Sequence, residues 1–174
     1  MTRPPSPSAL PRRPVLVLAL ALATICVLVE AALWGADAGL WGNAYWRPFA
    51  YQHGAFWAGL LYDWRPNYAA QPVTMFLSYA FLHGGVGHLL GNMAALLALI
   101  GMLGPRLDLP RLAVLWVGAG IGGSAAFAVL MPGPMPMVGA SGALFGLAGA
   151  WMVWRRQPGS APGAAAGRSG AAWR

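Results

Sequence analysis

The chain has no lysine, only four acidic residues and a single cysteine among its 174 residues. Each shortage excludes something. Charged residues make up 9% against 58% hydrophobic, too few to solvate a globule of this size. Several uncharged runs approach the roughly 20 residues that a membrane helix needs, so the class is an all-α polytopic membrane protein embedded in the lipid bilayer. Cys26 lies inside one of these runs and has no second cysteine to pair with, which rules out an intrachain disulfide. The net charge of +7 comes wholly from arginine. Those arginines sit in short loops beside apolar runs, as membrane topology demands, so no nucleic-acid partner is expected.

Four spans are expected within one membrane domain over 15–156, flanked by a disordered cytoplasmic tail over 1–14 and a low-complexity tail over 157–174. The first, 15–34, is apolar apart from Thr24 until Glu30 interrupts it. A signal peptide cleaved near Ala36-Asp37-Ala38 would look similar, but a retained helix suits a chain whose later runs also need the membrane. Residues 35–82 form an outer, interfacial loop. With Trp34 at its edge, the stretch 35–72 of this loop holds five of the nine tryptophans and four of the five tyrosines, residues that favour the headgroup level. A short helix is expected over Ala50–Leu61, and Asp63, Arg47, Arg65 and His53 read as ordinary polar residues of that layer. As one straight helix, Val73–Leu103 would reach about 46 Å against a hydrocarbon core of about 30 Å. Gly84, Gly85 and Gly87 supply a break, leaving Val73–Leu82 as an interfacial lead-in and 86–103 as the second span. The third span is 112–130, and the fourth, 140–154, ends at Arg155-Arg156.

Counting arginines across four spans gathers all but Arg47 and Arg65 of the loop-borne ones on one side. The positive-inside rule then places both termini in the cytoplasm, with a bacterial-type inner (plasma) membrane as the expected location. The aromatic loop and the segment before residue 140 face outward together.

That segment carries Gly139-Ala140-Ser141-Gly142, a serine flanked by glycines where irregular chain turns into a buried helix. Backbone N–H groups at a helix start lack intrahelical partners and carry the positive end of the dipole, so they can receive an oxyanion. The helix from Gly142 to Trp154 is about 20 Å long, which puts Ser141 below the outer surface if the arginines mark the inner one. Irregular backbone at that depth must be buried by protein or line a wet cavity. The bland alternative is a helix cap. Small residues at four-residue spacing, Gly118 with Gly122 and Gly142 with Gly146 and Ala150, are expected to pack helices closely, and Ser124 to bond back to its own helix.

His83, His88 and Asn92 gather at the outward start of the second span. His88 and Asn92 are one turn apart and share a helix face. His83 falls off that face and no third ligand stands near, so no metal site is expected. Imidazole and amide N–H groups are donors that can stabilise an oxyanion forming at Ser141. The plainer reading is two helices joined by hydrogen bonds.

His83-Gly84-Gly85-Val86-Gly87-His88-Leu89-Leu90-Gly91-Asn92, followed one span later by Gly139-Ala140-Ser141-Gly142, resembles the rhomboid family of intramembrane serine proteases. The resemblance covers roughly Val73–Trp154 and implies a rhomboid-like helical bundle, here with four of the usual six spans. It implies Ser141 as nucleophile, and His88 and Asn92 with the Ser141 N–H as the oxyanion hole. His83 would be a structural histidine at the helix start, with Gly139, Gly142 and Phe145 supporting. The implied reaction is cofactor-free hydrolysis of peptide bonds in or near the transmembrane segments of substrate proteins. The Trp-Arg pair common before the first histidine is replaced by Thr74-Met75, and Trp46-Arg47 lies too far upstream to be equated with it. The family's general base is a histidine of the sixth span. No histidine follows His88 here, and Gln157–Arg174 has no apolar run. The expectation is a C-terminally incomplete member without its own base, since a serine hydroxyl is weak without one. The competing expectation is a non-catalytic relative that binds client transmembrane helices. A transporter is disfavoured, because there is no inverted repeat and Glu30 is the lone intramembrane carboxylate.

Overall fold

The computed structural model describes residues 12–131 and 133–156, so the expected tails lie almost wholly outside the described residues. Within them the protein is an all-helical bundle. Helix α1 spans Arg13–Asp37, α2 Trp46–Gly54, α3 Gln71–Ser78, α4 Val86–Leu103, α5 Leu109–Leu130 and α6 Ser141–Arg155. Short 3₁₀ turns cover Ala58–Leu61, Tyr79–Phe81 and Gly104–Arg106. α1 begins two residues before the expected span, with Pro14 in its first turn, where a missing N–H costs nothing. The helix expected over Ala50–Leu61 is instead two pieces. α2 closes at Gly54 and Ala55 is extended, because Phe56 leaves the helical path to form a two-way backbone bridge with Met137.

Glycine and capping set the other ends. α4 is bracketed by Gly85 (φ +122°) and Gly104 (φ +49°), left-handed conformations that favour glycine. Asp108 caps α5 by accepting from the Arg111 N–H at 2.9 Å, with Pro110 in the first turn. Among the described residues α1, α4 and α5 are long and apolar enough to cross a membrane. α6 is not, since its 15 residues rise only about 22 Å.

One core fills the end of the bundle where Val15 and Ala19 of α1 meet Leu96 and Ile100 of α4, Leu112 of α5 and Leu147 of α6. A second cluster, Phe56, Met75, Tyr79 and Ala128, fastens the segment between α1 and α4 to the end of α5. α2 has no buried residue, and Trp34, Trp41, Tyr45, Trp46 and Phe49 are exposed around it, an amphipathic layer suited to headgroups.

The α5–α6 seam corrects the expected glycine row. A Cβ on Gly118 or Gly122 would meet nothing, so these positions do not pack. The close approach is one residue further on. A Cβ on Gly146 would lie 2.1 Å from the Ala119 Cβ, and one on Gly123 would lie 3.1 Å from the Gly142 Cα. A one-residue step turns the row by about 100°, from the outside of the bundle onto α6. Ser124 donates to the carbonyls of Gly120 and Ile121, both at 3.0 Å, back onto its own helix as expected.

Candidate active site

The site forms where the N-terminal end of α4 meets the start of α6. His88, Asn92, Ser141 and Phe145, with Gly91, Ala95, Leu99, Leu144 and Ala148, line one cleft of about 350 Å³. His88 sits in the first turn of α4, and its Nδ1 accepts from the Gly84 N–H at 3.2 Å. This is a reach back from the helix to the preceding loop, in the manner of a capping box. One turn on, Asn92 donates through Nδ2 to the His88 carbonyl at 2.9 Å. Its Oδ1 is buried without a partner, and an amide has a second N–H to offer.

The opposite wall is the chain entering α6. Gly139 has φ +111°, and a Cβ there would lie 2.7 Å from His88 Cε1 and 2.8 Å from Nε2. Glycine is required on both counts, and the Nε2 edge of the imidazole rests on this backbone. The Gly139 N–H is already engaged, donating to the Tyr79 carbonyl at 3.0 Å. Ser141 is the first residue of α6 and is half-buried. The residue in the cap position is Ala140, and no side chain caps the helix. Among the described residues the Ser141 hydroxyl has no hydrogen-bond partner. The first intrahelical bond of α6 runs from Leu144 N–H to the Ala140 carbonyl, leaving the earlier N–H groups outside the ladder. A Cβ on Gly142 would lie 2.6 Å from the Tyr79 hydroxyl. That hydroxyl donates to the Gly120 carbonyl at 2.8 Å, so Tyr79 wedges the helix start against α5. Phe145 is 77% exposed.

His83 is not on α4 but in the loop before it, fully buried, its ring edge-on to His88 with centroids 5.3 Å apart. Neither ring nitrogen meets a hydrogen-bond partner. Burial, followed by the neighbouring His88, pushes its pKa below the ordinary imidazole value, so it is neutral near pH 7.

The residues that local pattern reading passed over lie behind His83. Arg47 is not an ordinary surface arginine. Its Nη2 and Nη1 donate to Glu30 Oε1 and Oε2 at 2.9 and 3.1 Å, its Nε donates to Asp37, and Nη1 also reaches the His83 carbonyl at 3.1 Å. Tyr51 donates to that same carbonyl at 2.6 Å. Glu30 is 1% exposed, and its two bonds, ahead of the contribution from Asp37, push the guanidinium pKa further up. The signal was available: a carboxylate inside a span is functional by default and has a partner.

A family model described as Rhomboid domain matches residues 70–159, more than half of the 174 and the whole stretch that forms both walls of the cleft. The chain belongs to the rhomboid family. RHOMBOID-like protein 5 of Arabidopsis thaliana is 40% identical over 77 residues, which is 44% of this chain and 25% of the relative. The matched stretch is thus about a quarter of that protein's length. No solved structure matches. As a rhomboid-family protein with three apolar helices of spanning length among its described residues, the chain is an integral membrane protein in contact with the lipid bilayer.

Proposed function

We propose that the cleft is the nucleophile half of an intramembrane serine endopeptidase site that hydrolyses peptide bonds in or near the transmembrane segments of protein substrates. The observation that carries this reading is the free Ser141 hydroxyl. It caps nothing and bonds to nothing among the described residues, yet lies in one cleft with His88 and Asn92. In the proposed reaction Ser141 Oγ loses its proton to a base and attacks the scissile carbonyl, the oxyanion is received by the Ser141 N–H, His88 and Asn92, and its collapse breaks the C–N bond as the amine leaves with that proton. The acyl-enzyme is then hydrolysed by water. Gly139 and Gly142 allow the two walls to meet, and Phe145 borders the entry. The base that takes the serine proton is not among these residues, because no histidine follows His88 and His88 Nδ1 is occupied by Gly84. The arginine distribution supports an outward-facing cleft with both termini in the cytoplasm of a bacterial-type inner membrane.

Chemical rescue tests this reading. The chain in bilayers should resist a serine-directed fluorophosphonate probe, and excess imidazole, small enough for a 350 Å³ cleft, should restore labelling that Ser141→Ala abolishes. Labelling without imidazole would place a base within the chain. Failure at every imidazole concentration would remove the nucleophile. The second reading, a non-catalytic protein that holds client transmembrane helices, is favoured by the apolar lining of the cleft and the exposed Phe145. It requires client binding that Ser141→Ala leaves unchanged.

A further inference from the structure

We propose that Arg47, oriented by Glu30 and seconded by Tyr51, is a positioning residue that fixes the tautomer of His88 by gripping the carbonyl of His83. The inference rests on the reading of His88 as an oxyanion donor, but its geometry is independent of any bond being cut.

A neutral imidazole carries one proton, and the hydrogen bond made by one ring nitrogen decides which nitrogen bears it. Here the Gly84 N–H points at Nδ1. An N–H can donate only to a lone pair, so Nδ1 is the bare nitrogen and the proton sits on Nε2. Nε2 is the edge that rests on Gly139, two residues before Ser141. The imidazole therefore presents a donor to the cleft and not an acceptor. With the other tautomer, Nδ1–H would oppose the Gly84 N–H, and Nε2 would turn a lone pair toward the oxyanion.

The Gly84 N–H is only as well placed as the peptide it belongs to, and that peptide is the one whose carbonyl is His83 O. The same planar unit thus has its oxygen held by Arg47 Nη1 at 3.1 Å and the Tyr51 hydroxyl at 2.6 Å, and its N–H on His88. Beyond the burial of the His83 ring against His88, side-chain hydrogen bonding adds little to this loop. Gly84 is exposed, Gly85 takes a left-handed φ, and neither ring nitrogen of His83 is bonded. Arg47 is in turn fixed by two bonds to Glu30 on α1 and one to Asp37. The fork of a guanidinium can hold a carboxylate bidentately and still spare a proton for the carbonyl, which an ammonium does less well.

The test is ¹⁵N NMR of the full chain labelled at histidine, in bicelles at a pH where imidazole is neutral. There are three histidines, and His88→Gln identifies the His88 signals by their loss. The expected result is a His88 with bare Nδ1 and protonated Nε2. In Arg47→Lys the ratio of the two tautomers should fall several-fold, and in Tyr51→Phe by less. Thermal unfolding of Tyr51→Phe should stay close to that of the parent, which separates a tautomer effect from general loosening. A protonated Nδ1 in the parent overturns the proposal, as does an unchanged ratio in the variants. Should Arg47→Lys fail to fold, Tyr51→Phe, which deletes one hydroxyl, decides alone. Loss of the fluorophosphonate rescue with the tautomer result intact would remove the peptidase reading and leave the positioning device standing.

Discussion

Toward α5, helix α6 lies backbone against backbone, with Gly142 and Gly146 opposite Gly123 and Ala119 and no room for one more carbon. Toward α4 the same helix borders a cleft of about 350 Å³ and leaves Phe145 at its edge exposed. The two sides are built from the same kinds of residue, so hydrophobicity does not separate them. What differs is size at the contact. Between apolar helices in lipid, attraction comes from close packing, and it is won where glycine and alanine remove the side chains that would hold two backbones apart. The packed side fixes where Ser141 stands, and the open side leaves it approachable.

The contrast can be broken most forcefully at the seam. Gly146→Ala should cost about 1–3 kcal/mol, the range of core overpacking, because its Cβ would fall 2.1 Å from that of Ala119. Adding Ala119→Gly should recover most of the loss in equilibrium unfolding. No recovery would mean that the Ala119 side chain is not what limits the approach of the two helices. Smaller is the effect expected from the buried His83. Its folded pKa lies below that of an unfolded histidine, about 6.5. The neutral form is thus favoured by folding, and the associated stability is full above the unfolded pKa. Below it the unfolded chain binds more protons, so stability should decline as pH falls through that point. His83→Gln should flatten this part of a melting-temperature profile, and an unchanged slope would assign the acid loss elsewhere. The smallest effect belongs to the open side. Phe145→Ala should change stability by no more than about 0.5 kcal/mol, since the ring is 77% exposed. A loss comparable to that at Gly146 would show that this face is covered in the membrane.

Much of this organisation is legible from short stretches of sequence. α4 is announced by glycines on both sides of an apolar run, and His88 and Asn92 share a face because helical periodicity allows nothing else. Ser141 stands out because small residues surround it where an apolar run begins. The errors arise where partners are distant in the chain. Gly118 with Gly122 and Ala119 with Gly123 are two interleaved rows at the same spacing, and only the direction of α6 selects between them. Arg47 looks like a headgroup arginine until α1 and the loop before α4 are seen to converge on it. Tyr79 is one of several apolar-run aromatics by sequence, and its hydroxyl acquires a role only when Gly120 and Gly142 arrive. In each case the local residues are compatible with both readings, and the deciding energy is a tertiary contact.

The bridge between Phe56 and Met137 carries a consequence for assembly. Each residue donates to and accepts from the other, at 3.0 and 2.9 Å, yet they belong to opposite halves of the chain. During synthesis the N-terminal part emerges first, so α1, the aromatic segment and α4 are available well before Met137. Until then Phe56 has no strand partner, the Tyr79 carbonyl awaits Gly139, and the wall facing His88 does not exist. Closing contacts between such distant residues is slow relative to forming helices. The serine therefore reaches its place after the histidine wall is built, and a chain caught midway in insertion would carry a finished histidine wall and no site.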